Sequence, residues 1–289
     1  MKEYALFLGC NIPIRYPCTE IATRNVFNEL DISLVDMKGY TCCPDPVVTR
    51  LADPEMSYVL SARNLSLAEE KGLDVITVCN GCYETLLEAN EAMKRDKDLR
   101  NRVNQILSKY DREYNGTIDV KHAVEVLHED VGVSKIKERL TPLKFKAAIH
   151  YGCHLFRTKE VNEDSWKRPN MMKDLVEATG VELVEYGLEK LCCGYPALLA
   201  DPKLALEERL LPKLRNIEKA EARCVVLSCP ACMIQFESGQ IKLKEMGVGK
   251  LPVVHLLELM GLAMGMKPEE LHLEFHRSPV MELAKEVCA

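Results

Sequence analysis

At 289 residues the chain has room for about two domains of roughly 150 residues, each able to bury its own core. A content of 47% hydrophobic and 28% charged residues, with 15 Gly and 14 Pro, excludes disordered, fibrous and low-complexity classes. The formal charge of -6 argues against a nucleic-acid partner, which asks for a basic excess. The longest apolar stretch, Pro252 to Met266, is interrupted by His255 and Glu258 and is shorter than the ~20 residues of a membrane span. Met1 to Cys10 carries no signal-peptide pattern, so a cytoplasmic location is expected. In that reducing compartment 13 cysteines are better explained by metal than by disulfides.

In chain order, the apolar run Tyr4–Leu8 predicts a buried strand ending at Cys10, and Cys42-Cys43 follows in a turn-rich stretch. A helix over Met56–Lys71, a strand over Asp74–Val78, the motif Cys79-x-x-Cys82 and a helix over Tyr83–Lys94 come next. Strands at Lys146–Tyr151, Val181–Tyr186 and Arg223–Leu227 and a helix over Pro202–Ala222 repeat the scheme around Cys153, Cys192-Cys193 and Cys229-x-x-Cys232. Alternating strands and helices imply two α/β units, here expected at residues 1–142 and 143–289. Their parallel sheets carry Cys10, Cys79, Cys153 and Cys229 at strand carboxyl ends, where open α/β sheets bind ligands.

The cysteines themselves form an internal repeat. Cys43 and Cys79 are 36 positions apart, and so are Cys193 and Cys229; the interval from Cys10 to Cys42 is 32, against 39 from Cys153 to Cys192. Flanking residues follow suit, with Leu8-Gly9-Cys10 matching Tyr151-Gly152-Cys153 and Lys121-His122 matching Val254-His255. Five thiols per half exceed the four ligands of tetrahedral zinc, and the side chains of a vicinal pair diverge toward different atoms. An iron-sulfur cluster is the first reading, with zinc in at least one half and redox-active dithiols as the alternatives.

The pattern Cys, Cys-Cys-Gly or Cys-Cys-x-x-Pro, Cys-x-x-Cys, present twice, resembles the duplicated CCG cysteine-rich domain family, to which the B subunits of the heterodisulfide reductases of methanogenic archaea belong. The resemblance implies tandem, pseudo-symmetric Rossmann-like domains, each with a noncubane 4Fe-4S cluster. Cys10, Cys42, Cys43, Cys79 and Cys82 would hold one, and Cys153, Cys192, Cys193, Cys229 and Cys232 the other. Pro44 stands where the second half has Gly194, which keeps open one cluster in the C-terminal half with zinc in the N-terminal half.

Reduction of the mixed disulfide of coenzyme M and coenzyme B is the implied activity. The implied partners are a ferredoxin-like C subunit, a flavin-containing A subunit and an upstream hydrogenase or formate dehydrogenase. An electron-relay subunit of a glycolate, lactate or succinate dehydrogenase complex is the alternative, since such systems share the domain. No ferredoxin-type cubane run and no glycine-rich dinucleotide fingerprint occurs, so electrons must arrive from another protein of the complex.

Basic groups near the ligand cysteines are candidates for gripping an anionic substrate: Arg15, Arg50 and Arg157, with His154 as proton donor or cluster neighbour. His122 and His255 read as packed helix histidines or as neighbours of the clusters. Asp111 to His122 imitates a calcium loop but has His122 where that loop needs a bidentate Glu, so a turn is expected. The Met-rich stretch Met260 to Met266 is expected in the core or at a partner surface, and Cys18, Cys224 and Cys288 as buried or free thiols.

Overall fold

Short apolar runs that are buried on both faces favour parallel strands covered by helices, and the chain repeats this arrangement twice. The structure, a computed structural model, describes residues 2–157 and 166–288. Within them the first sheet comprises β1 (Lys2–Phe7), β2 (Ile32–Asp36), β3 (Val75–Thr77) and β4 (Val120–His122). The second comprises β5 (Lys146–His150), β6 (Glu182–Leu183), β7 (Cys224–Leu227) and β8 (Val253–His255). Their orders are β2-β1-β3-β4 and β6-β5-β7-β8, and every pairing is parallel. The expected tandem, pseudo-symmetric α/β architecture is therefore present. In each sheet the strand order reverses beside the first strand, and that switch point opens a crevice at the carboxyl ends.

Three strands go beyond the sequence expectation. β2 is a half-exposed edge without a continuous apolar run, and β4 and β8 are three residues each, too short for a period to register. The expected strand over Val181–Tyr186 contracts to Glu182–Leu183, because the Tyr186 and Gly187 N–H groups donate to the Glu189 carboxylate at 2.6 and 2.9 Å instead of to a neighbouring strand. The expected helix over Pro202–Ala222 divides into wide π-helical turns at Leu204–Leu210 and an α-helix at Leu211–Lys219. The Gln235 side chain takes up the Ala205 carbonyl at 3.0 Å there.

His122 and His255, expected as helix histidines, instead end β4 and β8 and cap the helices that come after them. Nδ1 of each accepts the N–H two residues on, at 3.2 Å (Val124) and 3.3 Å (Leu257). Glu125 and Glu258 accept the histidines' own N–H groups at 2.8 Å each, completing capping boxes in which His takes the usual place of Ser or Thr. Asp111 to Asp119 is indeed a loop leading into β4, fastened by the Glu69 carboxylate on the Asn115 and Thr117 N–H groups at 2.7 Å. Met260 is fully buried, and the helix that holds it packs against the first half.

The halves exchange helices across a pseudo-twofold seam. Helix Pro17–Glu29 of the first half packs on Leu256–Ala263 of the second, and Arg168–Ala178 of the second packs on Ala123–Glu125 of the first. At the latter contact Arg168 Nε donates to Glu125 Oε1 at 2.7 Å, Tyr83 Oη donates to the same oxygen at 3.0 Å, and the guanidinium lies 5.0 Å from the Tyr83 ring centroid. The Arg168 side chain is 2% exposed, so its charge depends on this pairing. Arg168→Ala leaves the half-buried Glu125 carboxylate without its countercharge and is expected to cost about 1.5–3 kcal/mol, read as a lower urea midpoint at unchanged slope.

Candidate metal and cluster site

The switch points of the two sheets face each other, and one cavity of about 280 Å³ lies between them. Its wall contains all ten cysteines of the repeat: Cys10, Cys42, Cys43, Cys79, Cys82, Cys153, Cys192, Cys193, Cys229 and Cys232. The sequence predicted one mouth per half, whereas the fold merges them. Cys79 and Cys229 are the residues before helices Asn80–Arg95 and Pro230–Lys242, and Cys82 and Cys232 lie in the first turns. Unsatisfied N–H groups and the positive end of the helix dipole there favour thiolates.

Backbone freedom is needed where the cysteines crowd. Gly152 has φ +73°, and a Cβ there would stand 2.5 Å from Asn80 Nδ2; its repeat mate Gly9 has φ +69° and only 2.7 Å to Cys82 Sγ. Gly194, at φ +94°, would meet the Ala205 carbonyl at 2.7 Å. Asn80 stitches the halves, donating to the Tyr151 carbonyl at 2.8 Å and accepting from Ser228 Oγ at 3.0 Å. His255 Nε2 donates to the Val78 carbonyl at 3.2 Å, again across the seam.

The thiols neighbour one another in the order Cys10, Cys42, Cys43, Cys82, Cys79, Cys229, Cys232, Cys193, Cys192, Cys153, each perturbing the ionisation of the next, with the Cys79 to Cys229 step crossing between halves. Thiols so close cannot all ionise together. Cys43 is held down to about 5 by hydrogen bonds from Cys42 and Cys82, and Cys229 is likewise lowered by Cys232 and Cys79. Cys82, between Cys43 and Cys79, and Cys232, between Cys193 and Cys229, are pushed well above the ordinary thiol value by those neighbours and by burial. Only a positively charged centre with many sulfur sites lets all ten act as thiolates, and this donor set fits iron-sulfur chemistry.

A second observation agrees. His150, fully buried at the end of β5, has neither ring nitrogen within hydrogen-bond distance of a partner among the described residues, yet one of them lies with the Cys193 and Cys232 sulfurs in a group compact enough for metal binding. Burial pushes its pKa down to about 3, so it presents one neutral N–H, suited to a cluster sulfur. Lys213, also fully buried, donates to the Leu188 carbonyl beside the same thiols, and burial lowers its pKa to about 8.

His154 lines the cavity, and its Nδ1 pairs with Glu84 of the other half. Burial opposes its charge, but the Glu84 hydrogen bond and charge outweigh burial and raise its pKa. Arg15 is exposed, with its charge felt at the cavity residue Tyr195, and the exposed Arg157 is felt at Cys153. Arg50 is brought elsewhere, tied to Glu88 in a neighbouring recess with Pro54 and Tyr58. Cys224 is buried at the start of β7, Cys18 is buried outside the cavity wall, and Cys288 is exposed. Sequence reasoning missed His150, Lys213, Glu84 and Asn80. Of these, only His150 carries a local signal, an ionisable residue closing an otherwise apolar strand.

Two doubly wound units closing on one chain of thiols define a duplicated cysteine-rich protein built for sulfur-ligated metal. The chain belongs to the family described as CCG: Cysteine-rich domain, matched at residues 4–87 and 147–237, one match per thiol set. It is 39% identical over 279 residues to the B subunit of the ferredoxin/F(420)H(2)-dependent CoB-CoM heterodisulfide reductase of Methanosarcina acetivorans, covering 95% of this chain and 93% of that protein. It is 31% identical to the 8-methylmenaquinol:fumarate reductase membrane anchor subunit of Wolinella succinogenes (94% and 95% covered). It is 22% identical to lactate utilization protein A of Bacillus pumilus (88% and 97% covered). A solved hypothetical protein from Helicobacter pylori shares the fold, with a TM-score of 0.73 and 17% identity; the match covers 96% of this chain and spans 52% of that one. No helix among the described residues is long and apolar enough to cross a membrane.

Gly152→Ala is expected to displace Asn80 and to cost about 1–3 kcal/mol through forced left-handed backbone and lost cross-seam hydrogen bonds. Urea unfolding checks the cost, and faster labelling of Cys153 by a thiol reagent in the metal-free protein checks the displacement.

Proposed function

We propose that this protein is the catalytic subunit of a heterodisulfide reductase, which reduces the mixed disulfide of coenzyme M and coenzyme B to the two thiols. In this reading Cys10, Cys42, Cys43, Cys79 and Cys82 hold one noncubane 4Fe-4S cluster, and Cys153, Cys192, Cys193, Cys229 and Cys232 hold the other. The observation that carries it is the single cavity where two equivalent five-thiol sets meet through Cys79 and Cys229. Opening a disulfide consumes two electrons and two protons and yields two thiols, so paired centres at one cavity suit the stoichiometry. When bound, each cluster supplies one electron and an iron site for one departing sulfur.

The protein's own groups do the rest. Leu8, Pro46, Val47 and Pro196 give the cavity an apolar wall that excludes water. His154, held by Glu84, keeps a proton at that wall for a product thiolate. Arg15 and Arg157 offer positive charge to the anionic ends of the substrate. Electrons enter from a ferredoxin-like C subunit, fed by a flavin-containing A subunit and an upstream hydrogenase or formate dehydrogenase, in the cytoplasm. The relatives named for fumarate reduction and lactate utilization favour a second reading, an electron-relay subunit of an organic-acid dehydrogenase complex.

Anaerobically purified protein is expected to contain about eight iron and eight sulfide per chain and to release both thiols from the mixed disulfide with a reduced viologen dye. Cys193→Ala is expected to lower that rate by more than about 100-fold, beyond the range of an outer-layer change. Fully loaded wild type that releases no thiol supports the relay reading instead, and about four iron per chain confines the cluster to one half. His154→Gln should lower turnover by about 100-fold or more with iron content unchanged. An unchanged rate removes His154 from the proton path.

A further inference from the structure

A second cluster of ligand-type side chains lies at the seam, and none of its members lines the cysteine cavity. Cys18 from helix Pro17–Glu29, Glu258 from helix Leu256–Ala263 and His276 from the C-terminal segment converge with full burial of all three donors. His276 Nε2 stands 3.5 Å from Cys18 Sγ and 3.1 Å from Glu258 Oε2. Tetrahedral zinc, with Zn–S about 2.3 Å and Zn–N and Zn–O about 2.0–2.2 Å, sets sulfur-to-nitrogen and nitrogen-to-oxygen edges of roughly 3.5 and 3.3 Å. The spacing already present is that of a zinc coordination edge.

The surroundings orient these donors as a metal site requires. His276 Nδ1 donates to Glu237 Oε1 at 2.9 Å, which fixes the ring and leaves Nε2 as the ligand atom. Glu237 is itself held by Tyr16 Oη at 3.0 Å and Ser278 Oγ at 2.7 Å. Thr19 Oγ1 donates to Glu258 Oε1 at 2.5 Å and so turns Oε2 toward the imidazole. An ion pair network alone needs no thiol here, and Cys18 has no counterpart in the repeat.

We propose that Cys18, Glu258 and His276 supply three ligands to one zinc ion, at a site separate from the ten-cysteine cavity. The ion ties helix Pro17–Glu29 of the first half to helix Leu256–Ala263 and the segment holding His276 in the second.

The test is metal analysis of the protein purified anaerobically without chelators, on wild type, Cys18→Ala, Cys18→Ser and Cys43→Ala. About one zinc per chain is expected in wild type and in Cys43→Ala, and none in either Cys18 variant, with their iron content equal to wild type. Cobalt(II) exchanged into the site should show a thiolate-to-metal charge-transfer band that both Cys18 variants lack. Wild type without zinc overturns the proposal. So does zinc that Cys43→Ala removes and the Cys18 variants keep, since that metal belongs to the cavity. Equal iron content reports correct folding of the variants, and the serine replacement serves if alanine fails to fold.

Discussion

Ten thiols in one cavity set the terms for the rest of the structure. A thiolate repels its neighbours, and a buried thiol without a partner is costly to ionise, so in the metal-free chain some thiols are held down and their neighbours pushed up. Such a chain needs the sulfurs brought within hydrogen-bond reach while the backbone stays out of the way. The doubly wound sheet meets that need, because its switch point places two loop ends side by side at the strand carboxyl ends. Glycine before Cys10 and Cys153 lets those loops approach the opposing helix start more closely than a Cβ permits. Helix N-termini at Cys79 and Cys229 add the favourable field.

The cavity belongs to neither half alone. The capping His255, Asn80 and the exchanged helices join the halves: His255 reaches Val78, and Asn80 reaches Tyr151 and Ser228. Duplication therefore does more than double a binding site. Each half supplies the other with the groups that fix its strand ends, and the seam these groups make is the floor between the two thiol sets. A half alone would expose the apolar faces of the helices that now pack across the seam.

The pseudo-symmetry is broken where the two sets differ in exposure. Cys10 and Cys42 are exposed, whereas Cys153 is buried and Cys192 partly so. Phe7 occupies the position that His150 holds in the second half, and the fully buried Lys213 sits only beside the second set. The second set is thus the more enclosed, and the first is open at Cys10 and Cys42.

The cysteines, their duplication and the α/β alternation were legible because they are written locally: an equal interval, a repeated glycine before cysteine, apolar runs of strand length. The merging of two mouths into one was not legible, since it depends on how two sheets face each other and no residue spacing within a half encodes that. The capping boxes were written in the chain as His122-x-x-Glu125 and His255-x-x-Glu258, but histidine is an unusual cap and the three-residue strands before it carry no period. His150, Lys213 and Glu84 gain meaning only from the groups that lie across from them. Cys18 illustrates the general reason. Judged against the repeat it was a leftover thiol, yet its partners lie 240 and 258 positions away and come from segments outside the repeated cysteine pattern. A site assembled wholly from tertiary contact leaves no spacing in the sequence, so it must be sought among buried ionisable groups that converge from distant segments.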